Sequence, residues 1–340
     1  MKDLFAYRTA SGKTLGELIF CPLKERNIEP TVVDIGARNG MFLVPQIYAL
    51  HAHYIGFEPN KEEYEKLVRH KTDAMNLGMN MPKFKSEEYH DCAVWSKDGF
   101  SSFYVTKGPG SCTLMGKTDG IVTSRMFLEN DAQSYENTHS EIQNTISMKC
   151  KRLDSIINSA RKIDFLKIDA EGADYEVLKG ALDLLKSNKI LFIKTEFQLF
   201  PYYDNHSLLG DQQILLSKYG FRLIDFNLEH SGYTRSKSRL PMYADRRLMY
   251  AGDAFFILDP DRNELLVEDR YRIALVSFIF GFNSLAISLL RETGYFSTDE
   301  LNELEDTLKR RHTSKRWLYY WSKIPFISLA MLSKIKRCFR

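Results

Sequence analysis

The chain of 340 residues has no cysteine pair spaced for metal or redox work: Cys21, Cys92, Cys112, Cys150 and Cys338 stand singly, with no C-x-x-C and no histidine at ligand spacing. That pattern fits a reducing compartment. No large charge of either sign is present either. Lys plus Arg number 47 against 44 for Asp plus Glu, and a net of +3 is too small to argue for a nucleic-acid partner. A signal peptide is missing as well, since Asp3, Arg8 and Lys13 break every apolar run in MKDLFAYRTASGK, which points to the cytoplasm. The uncharged stretch Ile273 to Leu290, between Arg272 and Arg291, carries Gly281, Asn283 and three serines. Polar groups in lipid are costly, so it reads as a buried helical hairpin split at Gly-Phe-Asn rather than a membrane span.

What is present is alternation. Short apolar strands at 31–35, 53–58, 89–95, 163–169, 190–196, 221–227 and 254–258 are separated by helical patterns, the signature of an α/β fold with a doubly wound, mostly parallel sheet. Between the third and fourth, 101–105 and 146–152 alternate apolar and polar residues and read as an added antiparallel pair. They flank a polar, glycine-containing segment that reads as a lid or insertion at about 107–145. After Pro260 the pattern turns helical, at about 265–280, 284–292 and 298–311. The expected organisation is a helical lead-in at 1–29, a catalytic-type domain at 30–260 and a C-terminal helical extension at 261–340.

Two segments carry the chemistry. Thr31 to Gly40, TVVDIGARNG, is a strand ending in Asp34, followed by a Gly-x-x-x-G turn onto a helix. Gly36 and Gly40 let backbone N–H groups approach a ligand closely. The dinucleotide fingerprint is absent, because Arg38 and Met41 stand where it needs glycine, so a pyrophosphate clamp is not expected. Glu58 closes the next strand in YIGFEPN, where a carboxylate takes the hydroxyls of a ribose. In HDCAVWSKDG, Asp91 and the backbone at Ala93 can meet an adenine. Ile163 to Ala181, IDFLKIDAEGADYEVLKGA, then places Asp169 and Glu171 at the carboxyl end of a strand, where open α/β sheets bind ligands. Glu196, ending the following strand in FIKTEFQ, is their expected neighbour. These acids can accept a proton from a substrate, or Asp169 and Glu196 can hold a divalent cation. Glu171 can equally cap the helix that starts near Ala173. Tyr175 and Lys179 have reductase spacing without the matching glycine motif and read as helix-face residues. His139 and His206 lie in polar loops and read as surface groups.

Taken in order, Asp34 to Gly40, Glu58-Pro59-Asn60, DCAVWSKDG, GSCTLM, KRLDSII and above all DFLKIDAEGADYEVLKGA resemble the landmarks of the FkbM-type S-adenosylmethionine-dependent methyltransferases, over about residues 30–260. The resemblance implies a class I methyltransferase fold, a Rossmann-like seven-stranded sheet whose last strand runs antiparallel, and methylation of a hydroxyl on a sugar, glycan or polyketide-like acceptor. It places Asp34, Gly36, Asn39 and Gly40 along the methionine part of S-adenosylmethionine, Glu58 with Asn60 at its ribose and Asp91 with Ala93 at its adenine. Asp169 and Glu171 stand near the transferred methyl. Arg38 and Asn39 in the first turn and Arg152 before Leu-Asp depart from the family pattern. Two alternatives stay open: a catalytically silent binding or scaffold module on the same fold, and a carboxyl- or N-methyltransferase.

Residues 315–340 hold seven Lys or Arg, no acid, and Trp317, Tyr319, Tyr320, Trp321 and Phe326. Such a basic, aromatic end suits either an anionic membrane surface or a solvated helix, and places the protein in the cytoplasm with a peripheral membrane contact as the further expectation.

Overall fold

The structure is a computed structural model and describes residues 4–116, 141–201, 203–231 and 248–313. It divides into two compact units. One is built from residues up to Cys21 and from Gly294 onward; the other is Pro22–Thr293.

Within the larger unit, β1 (Thr31–Ile35, TVVDI) is buried at all five positions, as a β-branched run covered on both faces should be. It is an interior strand of a seven-stranded sheet with β2 (His53–Phe57), β3 (Ser86–His90), β7 (Phe165–Ile168), β8 (Phe192–Gln198), β9 (Phe221–Ser231) and β10 (Leu248–Leu258), in the order β3-β2-β1-β7-β8-β10-β9. Neighbours from β3 through β8 pair in parallel, and β10 runs antiparallel to both β8 and β9. This is the class I methyltransferase fold, with its last strand reversed. A smaller sheet, β4 (Ala93–Val94), β6 (Ile142–Lys151) and β5 (Gly99–Thr106), carries the antiparallel β5–β6 pair expected from the alternating segments.

Two local expectations change. The segment 89–95 is not one strand: it leaves the main sheet after His90, and Ala93–Val94 pairs with β6 in the smaller sheet. Its apolar run CAVW is continuous because Cys92, Ala93 and Val94 stay buried while changing sheets, so hydrophobicity marks no break. The helix expected directly after Gly40 is delayed to a single turn, Gln46–Ala49, behind the N-cap Pro45.

C-terminal helices Val267–Ile279 and Asn283–Thr293 form the expected hairpin, turning at Gly281, whose φ of +85° favours glycine. Phe280 at the turn packs on Phe165 of β7 and Phe192 of β8, with ring centroids 5.0 and 5.3 Å away. Phe165 and Phe192 are fully buried, and a ring so buried contributes roughly 1.5–3 kcal/mol. Among the described residues, no helix is long and apolar enough to cross a membrane. The remaining C-terminal helix, Thr298–Thr313, belongs to the smaller unit. The lid segment from 117 to 140 with His139, and the basic end 315–340, lie outside the described residues.

Candidate active site

Parallel register sets the site. Ile35 pairs with Phe57 and Ile168, Ile168 with Thr195, and Glu196 with Asp253, so Glu58, Gly36 and Asp169, just past the ends of three strands, stand in a row with Glu196 and Asp253 inside the next two. Backbone bonds continue past the strands: Glu58 N donates to His90 O at 3.0 Å, Gly36 N and Ala37 N to Phe57 O at 3.1 and 3.0 Å, and Asp169 N to Ile35 O at 3.0 Å. Gly36 has a φ of +77°, and a Cβ there would fall 1.9 Å from the Asp169 carbonyl oxygen. Only glycine fits so close an approach of two turns. Above this row lies a cavity of about 450 Å³, lined by Gly36, Asn39, Gly40, Glu58, Ala93, Asp169 and Glu171, together with Arg38, Lys167 and Lys194.

Glu58 is buried, accepts the Asn60 N–H at 2.8 Å, and is pushed up to about 7 by burial. Asn39 lines the cavity while its Oδ1 accepts from Ala74 N at 3.4 Å. Arg38 is fixed by two carboxylates, Glu63 and Asp73, both at 2.8 Å.

Three residues expected in the donor site are not in the cavity lining. Asp34 is fully buried beneath it; its carboxylate accepts from Tyr54 Oη and from Lys167 Nζ, each at 3.0 Å. Its position one residue before the turn points it into the sheet face, not at the opening. Asn60 spends its side-chain oxygen as the N-cap of helix Lys61–Val68, accepting from Glu62 N and Glu63 N. Asp91 is exposed, because the chain has already left the main sheet there.

On the acid side, Asp169 is half exposed and lies 3.4 Å from Lys167 Nζ. Glu171 adopts a left-handed φ of +50° in the turn before helix Asp174–Lys179; its carbonyl accepts from Thr113 Oγ1 at 2.7 Å and its carboxylate from Tyr203 Oη at 3.4 Å. Glu196 adjoins Asp169 in the row but does not line the cavity. Its Oε2, like Oδ2 of Asp174, is buried without a hydrogen-bond partner among the described residues. Burial, then repulsion from Asp174, holds Glu196 well above the carboxylate range; burial and Asp169 push Asp174 up to about 7. Glu196 is therefore an acid beside Asp169 in the row whose charged form is disfavoured, and it stands outside the cavity lining.

The cation option fares poorly on the same geometry. Lys167 lies 3.4 Å from Asp169, so an ammonium group already engages one of the two acids a metal would need, and no cluster of three or more His, Cys, Asp or Glu suited to a metal occurs among the described residues. Lys167, Lys194 and Asp253 escaped the sequence reading, although a signal existed: FLKID and FIKTEF each place a lysine inside a buried apolar strand, where lysine is rare unless paired. Lys179 lies over the Tyr175 ring at 5.3 Å and pairs with Glu176, an ordinary helix face. His206 is partly buried against Tyr203, not a surface group, and burial pulls it down to about 4.

Comparison with known proteins gives one family: the Methyltransferase FkbM domain matches residues 34–223. No curated protein matches the chain. Similar solved structures include magnesium protoporphyrin IX methyltransferase (ChlM) from Synechocystis PCC 6803 with bound SAM, 8% identical over 72% of this chain and 80% of that one, with a TM-score of 0.31. A SAM-dependent methyltransferase from Methanosarcina mazei is 10% identical over 70% and 98%, at 0.30. A protein of the NADB-Rossmann superfamily from Streptococcus agalactiae is 11% identical over 84% and 94%, also at 0.30. Scores this low add nothing to what strand order and the family match establish.

Proposed function

This chain belongs to the FkbM methyltransferase family, whose domain covers residues 34–223, and on that premise we propose that it transfers the methyl group of S-adenosylmethionine to a hydroxyl of a sugar or glycan. The observation that carries the reading is the charge of the cavity. Its three cations are each paired with at least one acid outside the lining, Arg38 with Glu63 and Asp73, Lys167 with Asp34, and Lys194 with Asp253, and Lys167 also lies 3.4 Å from the lining acid Asp169. With Glu58, Asp169 and Glu171 in the lining as well, acids outnumber cations around the cavity. An acid excess in a partly desolvated pocket selects a cationic ligand, and the volume lies within the roughly 300–1,000 Å³ of small-molecule sites.

The residues fit the donor. Gly36, Asn39 and Gly40 line the cavity where its methionine part would lie. Glu58 would take the ribose hydroxyls, and Ala93 with Cys92 and Val94 offers a buried, small-residue wall for the adenine. When bound, the donor supplies an activated methyl on a positively charged sulfur. The protein's part is then alignment, which supplies most of the acceleration, and removal of the acceptor's proton. Asp169 is the proton acceptor: it is the half-exposed acid of the row and lines the cavity, which its neighbour Glu196 does not. A hydroxyl acceptor needs this base, whereas a carboxylate acceptor does not.

The test is incubation of the full chain with methyl-deuterated S-adenosylmethionine and a glycan extract, followed by mass spectrometry. A deuterated methyl on a sugar oxygen is expected. Label appearing only on carboxylates or amines would overturn the hydroxyl assignment, and a chain that does not bind the donor at all would be a scaffold on this fold. The basic, aromatic composition of 315–340 supports an acceptor at an anionic membrane surface; equal partitioning of full-length and 1–312 protein onto anionic vesicles would count against it.

A further inference from the structure

We propose that Lys167 is a positioning residue: its single ammonium group sets the Gly36–Gly40 turn and Asp169 against each other, fixing the donor turn and the acid of β7 as one unit. The inference rests on the methyltransferase reading and adds a role that reading does not require.

Three contacts carry it. Lys167 Nζ lies 3.0 Å from Asp34 Oδ1, 3.2 Å from the Gly36 carbonyl oxygen and 3.4 Å from Asp169 Oδ2. These groups belong to the end of β1, to the turn behind it and to the end of β7. The strands are bonded to each other by backbone up to Asp169 N and Ile35 O, but Gly36 beyond them makes its own backbone bond to β2. Lys167 is the side chain that closes this junction.

A purely structural role explains the lysine poorly. Its register partners Asp34 and Lys194 and its own burial put a charge in the sheet interior, and replacing a buried ion pair by apolar side chains of similar size is often neutral or stabilising. Burial opposes the ammonium charge, yet Asp34 and Asp169 outweigh it and hold Lys167 above its ordinary range. The cation persists because both carboxylates need it where it is. Lys194 one strand over pairs with Asp253 and lines the cavity, but it has no contact with the donor turn among its hydrogen bonds and ion pairs in the described residues.

The variant Lys167→Met leaves Asp34 buried without its cation, so Lys167→Met with Asp34→Asn, which removes both charges, is the informative protein, and Lys167→Arg is the conservative control. Hydrogen–deuterium exchange without ligand is expected to run about tenfold faster at residues 36–40 in the double variant, the loss of one charge-assisted hydrogen bond, with the melting temperature little changed. Affinity for S-adenosylhomocysteine, read by calorimetry, is expected to fall about tenfold as well, and Lys167→Arg to keep both quantities within about threefold of the parent. Unchanged exchange and unchanged affinity in the double variant would overturn the proposal. If the parent binds no S-adenosylhomocysteine, the methyltransferase reading fails instead, and the exchange rates still decide what Lys167 does.

Discussion

The sheet holds two buried aspartates against cations, one at each end, and they are built to opposite purposes. At the amino ends of the strands, Asp164 takes both oxygens to Arg272 at 2.9 and 3.0 Å and accepts the Thr31 N–H at 2.7 Å, while Arg272 also reaches Glu268 and the Glu29 carbonyl. This network joins the C-terminal helix hairpin to the sheet. At the carboxyl ends, Asp34 is equally buried, but its partner Lys167 has contacts left over and spends them on Gly36 and Asp169 at the cavity. The same pair of charges is a rivet when fully satisfied within the core and a site component when it is shared with an open pocket.

The comparison can be broken in order of size. Arg272→Ala should be the most damaging to stability, by about 3–5 kcal/mol in denaturant melts, because it strands Asp164 in the core; donor affinity of the folded fraction should not change. A loss of affinity without loss of stability would mean that the amino end is not merely structural. Asp169→Asn should do the reverse: turnover falls about 10²-fold or more with the melting temperature and donor affinity nearly intact, and unchanged turnover would remove Asp169 from the mechanism. Gly36→Ala acts on both ledgers, since its Cβ meets the Asp169 carbonyl at 1.9 Å. It should cost about 1–3 kcal/mol of stability and weaken the donor site besides; a well-bound donor in a stable Ala variant would refute the tight junction.

The smallest effect is on pH. Burial raises Glu58 to about 7 in the free protein, so the folded chain holds a proton that the unfolded chain has released above about pH 4.5. Its contribution to stability is fully present at low pH and is lost as pH rises through about 7. Donor hydroxyls want the ionised form, so apparent affinity should rise about tenfold from pH 6 to pH 8, following the ionised fraction. In Glu58→Gln that slope should flatten, and a slope that persists would assign it to another group.

Much of this was legible in the sequence where one pattern dictates one structure. TVVDI had to be an interior strand, and the EG turn after FLKID had to sit at a strand end. The helical hairpin followed from Gly281 and Asn283 breaking an otherwise apolar run. Legibility failed where chemistry depends on register between distant segments. Asp34 reads as a site residue because it ends a strand, but only the pairing with Lys167 shows that it faces inward. Asn60 follows the ribose acid, yet capping the next helix claims its side chain. Glu196 has the right type and the right row, but it lies outside the cavity lining, and burial beside Asp174 disfavours its charged form. Lys167 and Lys194 stand out as lysines inside buried apolar strands, but the sequence does not show which acids they pair with.

Calorimetric titration of the full chain with S-adenosylmethionine, at pH 8 and again at pH 6, tests most directly whether the strand-end row is a donor site. Saturable one-to-one binding at pH 8 that weakens about tenfold at pH 6 is the predicted result; no binding at either pH would contradict it.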